Sequence, residues 1–355
     1  MLLHAAIRQG GDLVASTAAW ERIERVFAST WNVGGIMPSD DLDLDDWLDT
    51  RDNFYDIYVI GFQEIVPLNA RNVLGPKKSC ISAKWKSLIA AALNKNRVIE
   101  RADSQQASTD NSAMESSAQA EYFSCIMSKQ MVGIFTSVWA RSSLKSFIHH
   151  LDVSSIGSGI MGCLGNKGSV SIRFVLQETK LLFRLLSPGF RWQRRGCAAE
   201  EFGCRGYTCK DEFCKTYLVF LLNESEGVSQ LRICQVVLLG DLNYRISLEE
   251  TETRSLVKAK NWAILLENDQ LLFEFSRGRH FEGWQEGSIT FSPTYKYHPN
   301  SDQYYWCFDG VIVFCGMAKG LKQVQYETCN YRLSDHRPVR AVFHAECDVS
   351  EGTQK

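Results

Sequence analysis

Six short apolar runs, each ending in or leading into a polar side chain, constrain this chain most. They are Val26–Asn32, Ile57–Phe62, Val132–Ala140, Ser169–Leu176, Gln235–Leu239 and Val339–His344. Runs of this length, rich in Val, Ile, Leu and Phe, are strands buried on one or both faces. Helical patterns lie between them. Lys84–Leu93 puts Trp85, Leu88, Ile89 and Ala92 on one face, Ser247 with Glu250 forms a capping box, and Asn261–Leu266 is a further helix. Strands interleaved with helices imply an α/β (α+β) layered domain.

The 355 residues can bury a large core, and 45% hydrophobic with 23% charged residues is an ordinary globular composition. A net charge of -2 supplies no global field for nucleic acid, so an anionic ligand must meet a local group of bases or a cation. Met1–Trp20 lacks a basic start and a sustained apolar core, and no apolar run is long enough to span a bilayer. The expectation is an intracellular, cytoplasmic protein, peripheral to membranes at most, whose twelve cysteines are reduced thiols. Arg101–Gln119, rich in Ser, Gln, Asn and Ala, reads as a loose insertion in a single domain spanning 22–349, with tails at 1–21 and 350–355.

The polar residues after the runs form a set. Asn32 ends the first, Glu64 follows the second, Asp241 and Asn243 follow the fifth in GDLNYR, and Asp335 and His336 lie in SDHRP. Strand ends of a layered sheet open onto one edge, where these groups can converge. Together they suit metal-assisted phosphoester hydrolysis. Magnesium takes hard oxygens and retains water, so Glu64 with an amide is a sufficient protein contribution. Either Asp241 or His336 can activate water, while Asn243 donates to charge developing on phosphorus. Lys167 beside Asn166 in GNKGS, Arg245, and Lys296 with Tyr295 in SPTYKY are candidates for binding further phosphates. Taken singly, each has a plain alternative: Asp-Leu-Asn is also an Asx turn, and a lysine between glycines is also a solvated turn. Their joint order at strand ends favours the chemical reading.

TWNVGG (Thr30–Gly35), the stretch Gly61–Gly75, GNKGSVSI (Gly165–Ile172), GDLNYRI (Gly240–Ile246), PTYKY (Pro293–Tyr297) and SDHRPV (Ser334–Val339) resemble, in order, the motifs of the inositol polyphosphate 5-phosphatases, plant type I-like. The resemblance implies an endonuclease/exonuclease/phosphatase (DNase I-like) fold, a β-sandwich flanked by helices. It implies Mg²⁺-dependent removal of a 5-phosphate from inositol phosphates or phosphoinositide headgroups. It further implies that Asn32 and Glu64 serve the metal, that Asp241, Asn243 and His336 with Asp335 serve the scissile phosphate and water, and that Lys167 and Lys296 bind substrate. Alternatives are a non-catalytic phosphoinositide-binding isoform and a nuclease or sphingomyelinase of the same fold. The absence of a basic stripe disfavours the nuclease.

Two family segments are missing, and the stretch 181–231 reads as disrupted. A strand ending in Thr-His-Leu should follow Ser169–Leu176, but Leu181–Leu186 is LLFRLL and no His follows. A segment Pro-Ala-Trp-Cys-Asp-Arg-Ile-Leu is replaced by Tyr305–Phe314, where Asp309 stands in a different context. Codons for Asp309–Gly316 exist that, read in another frame, give Trp-Cys-Asp-Arg-Ile-Leu-Trp. Codons for Phe190–Cys204 likewise exist that shift to Ser-Gly-Gly-Asn-Glu-Glu-Asp-Ala-Leu-Arg-Arg-Asn-Ser-Asp. Altered splicing or an incorrect gene model accounts for both, and turnover near background is the expected consequence. An out-of-frame origin also explains Cys197, Cys204, Cys209 and Cys214, whose spacing lacks the paired knuckles of structural zinc. Metal analysis of the purified protein is accordingly expected to find no bound zinc; one zinc per chain would contradict this.

Overall fold

The computed structural model describes residues 20–67, 79–106, 121–157, 168–187, 235–277, 284–305 and 321–349, with backbone alone for 20–21 and 96–106. Asn166, Lys167, Asp309 and the four clustered cysteines lie outside the described residues. Among the described residues, two sheets make the frame. One has six strands in the order β3 (Phe123–Met131), β4 (Ile134–Arg141), β2 (Ile57–Gln63), β1 (Trp20–Asn32), β10 (Val339–Val349) and β9 (Leu321–Thr328). The other has four, in the order β5 (Ile148–Gly157), β6 (Gly168–Leu176), β7 (Thr179–Leu186) and β8 (Gln235–Gly240). β1 runs parallel to β2 and β7 parallel to β8, and the remaining pairings are antiparallel.

The period-2 alternation of β1 sorts its side chains between two cores. Val26 and Ala28 point between the sheets, where they join Val59, Val170, Ile172, Phe174, Phe183, Leu185, Val237 and Leu239. Phe27 and Trp31 point outward with Tyr58 and Phe62 and are covered by α1 (Asp45–Leu48) and α2 (Ser79–Gln106). The four-residue spacing of Trp85, Ile89 and Leu93 on α2 fills that outer layer. Trp31 meets Trp47 at 5.1 Å and Trp85 at 6.0 Å, both edge-on. Burial of each such ring contributes about 1.5–3 kcal/mol.

On the far side, α5 (Gln270–Ser276) seats Leu271 against Leu186 and Leu238. It follows α3 (Glu250–Lys258) and α4 (Trp262–Glu267). Asn261, read from the sequence as the first residue of this helix, stands just before it and caps it by accepting from Ile264 N. The capping box is not formed. α3 begins at Glu250 with Glu249 as its cap residue and no side-chain bond, because Ser247 is engaged with Asn268 and Gln270. The helix from Ser79 also extends through Arg101–Gln106, the start of the expected loose insertion. Leu181–Leu186, the start of the stretch read as disrupted, is a regular strand paired on both sides. Its alternating Leu181, Phe183 and Leu185 fill the inter-sheet core, which suffices to hold it. Among the described residues, no helix is long and apolar enough to cross a membrane.

Gly61 sets the sheet separation near the functional edge. A Cβ there would stand 2.5 Å from Leu185 Cδ1 and 3.2 Å from Leu239 Cδ1. Gly61→Val should therefore destabilise the fold by about 1–3 kcal/mol in urea unfolding, the usual cost of overpacking. Leu185→Ala in the same chain should recover part of the loss; an unchanged midpoint for Gly61→Val would show that the sheets are not close-packed there.

Candidate active site

The carboxyl-terminal ends of parallel strands β1 and β2, the end of β8 and the turn before β10 meet at one edge of the sandwich. Asn32 is the last residue of β1, and its amide reaches both sheets. Nδ2 donates to Glu64 Oε1 at 3.2 Å and to Asp241 Oδ2 at 3.2 Å, while Oδ1 accepts from Gly34 N at 3.0 Å. Glu64 follows β2 with φ 52°, a left-handed residue at the strand end, and Gly35 N donates to its carbonyl. Asp241 follows Gly240, whose φ of +132° and 2.2 Å approach of a virtual Cβ to Leu186 O admit only glycine. Asn243 N donates to Asp241 Oδ1 at 3.0 Å, closing the Asx turn that the Asp-Leu-Asn sequence also predicts. Turn and site are the same structure, and this fold uses the turn to aim the carboxylate.

His336 lies under Tyr295, the rings stacked at 4.1 Å, and the two residues form an isolated antiparallel bridge. Its backbone is held firmly. Ser334 Oγ accepts from His336 N at 3.0 Å and bonds Asn32 O at 2.6 Å, and Trp31 Nε1 donates to His336 O at 3.1 Å. Asp335 Oδ1 is 4.0 Å from His336 Nε2, and Asp335 Oδ2 is 3.9 Å from Lys296 Nζ. Lys296 also lies 5.1 Å from the Tyr305 ring. Glu64, Asp241, Asn32, Asp335, His336, Tyr295 and Lys296 thus converge. Asn243 is exposed on the same loop as Asp241. Arg245 is further along it, its backbone paired with Gln270 of α5, which places it at the helical flank. Ser334 and Trp31, absent from the sequence assignment, were within the quoted motifs; no spacing rule marks a buried hydroxyl or an indole as a scaffold for its neighbours.

Burial dominates the electrostatics. It pushes the Asp241 carboxyl up to about 6, with the Asn32 bond opposing and the nearby Glu64 and Asp335 charges adding. Burial, reinforced by Lys296, pulls His336 down to about 3, so the imidazole is neutral at physiological pH. Burial also raises Asp335 despite Lys296.

The donor set fits a hard divalent cation. Two carboxylates held by one amide concentrate negative charge in a desolvated corner, which a cation would relieve. Among the described residues no group of three or more His, Cys, Asp and Glu is placed to cage a metal ion; the corner offers a cation the Glu64 and Asp241 carboxylates. In this arrangement Asn32 orients Glu64 through its amide nitrogen, and its oxygen, which accepts one bond from Gly34 N, keeps a second lone pair for a cation.

The profile of Endonuclease/Exonuclease/phosphatase family 2 matches residues 29–342. The chain is 44% identical to Type IV inositol polyphosphate 5-phosphatase 9 of Arabidopsis thaliana, over 93% of this chain and 80% of that protein. It is 39% identical to Type I inositol polyphosphate 5-phosphatase 8 of the same plant, over 97% and 77%. The crystal structure of the inositol polyphosphate 5-phosphatase domain of SPsynaptojanin, in complex with inositol (1,4)-bisphosphate and calcium ion, superimposes with a TM-score of 0.68 and 26% identity, covering 94% of this chain and 87% of that one. Cimex nitrophorin in its ferrous NO complex shares the fold alone, at 16% identity and a TM-score of 0.60 over 91% of this chain and 99% of that one. From the matched span and the Arabidopsis relatives, the chain belongs to the inositol polyphosphate 5-phosphatase family, a family of phosphoric monoester hydrolases built on the endonuclease/exonuclease/phosphatase fold.

Proposed function

We propose that this chain binds inositol phosphates or phosphoinositide headgroups at the Asn32–Glu64–Asp241 corner and hydrolyses the 5-phosphate with Mg²⁺, slowly compared with its relatives. The carrying observation is the Asn32 amide, which brings Glu64 and Asp241 from different sheets to one point. The calcium and inositol bisphosphate in the SPsynaptojanin complex support the ligand class.

Mg²⁺, held by Glu64 with the help of Asn32, would polarise a phosphoryl oxygen. The chain's own residues supply the rest. Asp241, aimed by Asn32 and by the Asn243 N–H, accepts the proton of the attacking water. Asn243 donates to the phosphoryl oxygens. His336, kept neutral and stacked on Tyr295, presents its edge beside Asp335 to the same group. Lys296 neutralises a further phosphate, and Lys167 with Asn166 and Arg245 are proposed to extend that contact.

The resemblance implies that the His of Thr-His-Leu contacts the scissile phosphate and that the Asp of Pro-Ala-Trp-Cys-Asp-Arg-Ile-Leu orients the residue corresponding to His336, and both segments are missing from this chain. One such donor is worth about 3 kcal/mol, roughly 100-fold, so two independent losses lower turnover about 10,000-fold. Phosphate release from inositol 1,4,5-trisphosphate in Mg²⁺ should rise by that factor in a chain carrying both segments, and Asp241→Asn should abolish the residual rate. Equal rates with and without the segments would overturn the impairment. Binding without any release, in either chain, would instead favour the non-catalytic isoform.

The buried imidazole also sets a pH dependence. Its folded value, about 3, lies below the ordinary 6.5, so the unfolded chain binds the extra proton. Its contribution is full above pH 6.5 and is lost as pH falls toward 3. Asp241, raised to about 6 from 3.8, acts oppositely, losing stability as pH rises across that interval. In metal-free thermal melts, His336→Gln should therefore leave a stability that declines as pH rises from 4 to 6. An unaltered pH profile would show that His336 is solvated rather than buried.

A further inference from the structure

Arg337, next to His336, is 2% exposed although it carries a guanidinium. Its guanidinium carbon lies 3.8 Å from the centroid of the Tyr297 ring. Nη2 donates to Ser301 O at 2.5 Å and to Asp302 Oδ1 at 3.4 Å, and Nη1 donates to Ser334 O at 3.3 Å. The backbone follows the same pairing: Arg337 N donates to Thr294 O at 2.8 Å and Tyr297 N to Asp335 O at 2.9 Å. Tyr297 in turn stacks on Tyr304 at 4.3 Å, their hydroxyls are 2.7 Å apart, and both donate to Pro293 O. Tyr305 N closes the loop on Lys296 O at 2.7 Å.

The contacts of Arg337 with Tyr297, Ser301, Asp302 and Thr294, and that of Tyr297 N with Asp335 O, join the turn over 334–337, which carries Asp335 and His336, to the loop over 293–305, which carries Tyr295 and Lys296; the tyrosine contacts brace that loop internally. We propose that Arg337 is a positioning residue: its guanidinium, clamped between Tyr297, Ser301, Asp302 and Ser334, fixes where the Lys296 ammonium stands relative to His336. A flat cation with donors on several edges is needed, because one face must stack on Tyr297 while the edges reach three other residues. Lysine carries the charge but cannot do both. Asp302, shared with Arg332, is the outer anchor of the same clamp.

That Lys296 meets substrate phosphate rests on the proposed function, so the test has one arm that depends on it and one that does not. In the full chain, hydrogen exchange should show the amides of Tyr297 and Tyr305 losing protection in Arg337→Lys, while those of β1 and β10 keep theirs. Calorimetric titration with inositol 1,4,5-trisphosphate in Ca²⁺ should show Arg337→Lys weakening binding about tenfold when Lys296 is present. In a Lys296→Met chain the same change should cost less than about twofold, the non-additivity of residues acting as a unit. Asp302→Ala, at the exposed rim, should shift both readouts in the same directions by a smaller factor, and it decides the question if Arg337→Lys does not fold. Equal losses with and without Lys296, exchange loosened equally over β1 and β10, or an Asp302→Ala chain indistinguishable from the parent would each overturn the positioning role. If the parent chain does not bind the trisphosphate at all, the proposed function fails and the exchange arm alone decides the clamp.

Discussion

One side-chain amide ties the two sheets together at the edge where the chemistry would occur. Asn32 ends a strand of the six-stranded sheet, and Asp241 ends a strand of the four-stranded sheet. Their hydrogen bond, with the second one to Glu64, turns two strand termini and a strand-end turn into one polar corner. Beneath that corner the sheets meet through apolar side chains, with Gln63 and Thr30 paired to each other at 2.8 Å. The inter-sheet core of Val, Ile, Leu and Phe keeps water out, and the Trp31–Trp47–Trp85 layer fixes the outer side. A pair of carboxylates so placed is costly unless something positive or protonated joins it, and the raised Asp241 value expresses that cost.

The scaffolding around the corner comes from groups with no chemistry of their own. Trp31 carries the core directly into the site by donating to the His336 carbonyl, and Ser334 joins the Asn32 carbonyl to the His336 amide. The glycines at 61 and 240 allow close approach where any side chain would collide with Leu185 or with the Leu186 carbonyl. The loop bearing Lys296 is a separate piece, joined to the His336 turn through the Arg337–Tyr297 contact. A shared fold does not carry function by itself: Cimex nitrophorin has this architecture too. The functional reading therefore rests on the corner rather than on the sandwich.

The strands buried on both faces were legible in the sequence, since Ile57–Phe62 and Gln235–Leu239 are nearly uninterrupted apolar runs and Val26–Asn32 opens on one and carries Trp31 near its end. Phe123–Met131, Ile148–Gly157 and Leu321–Thr328 were not. Each is largely half-exposed or exposed along its length and mixes polar with apolar residues, whereas Gln235–Gly240, although also at a sheet edge, is buried at every position and keeps its apolar run. The site residues at strand ends were legible because parallel strands deliver their carboxyl ends to one edge. The roles of Ser334 and Arg337 were not, because their partners are Asn32, Tyr297 and Ser301, contacts set by tertiary packing. The failed capping box at Ser247 has the same origin: local chemistry offered a cap, and contacts to Asn268 and Gln270 took the residue instead.

The central claim is that a single divalent ion belongs at the Asn32 corner. Anomalous diffraction from crystals of this chain grown with Mn²⁺ tests it most directly. One strong peak should appear within coordination distance of a Glu64 carboxylate oxygen and beside Asp241. A cation bound elsewhere, with Glu64 and Asp241 still joined only through the Asn32 amide, would contradict it.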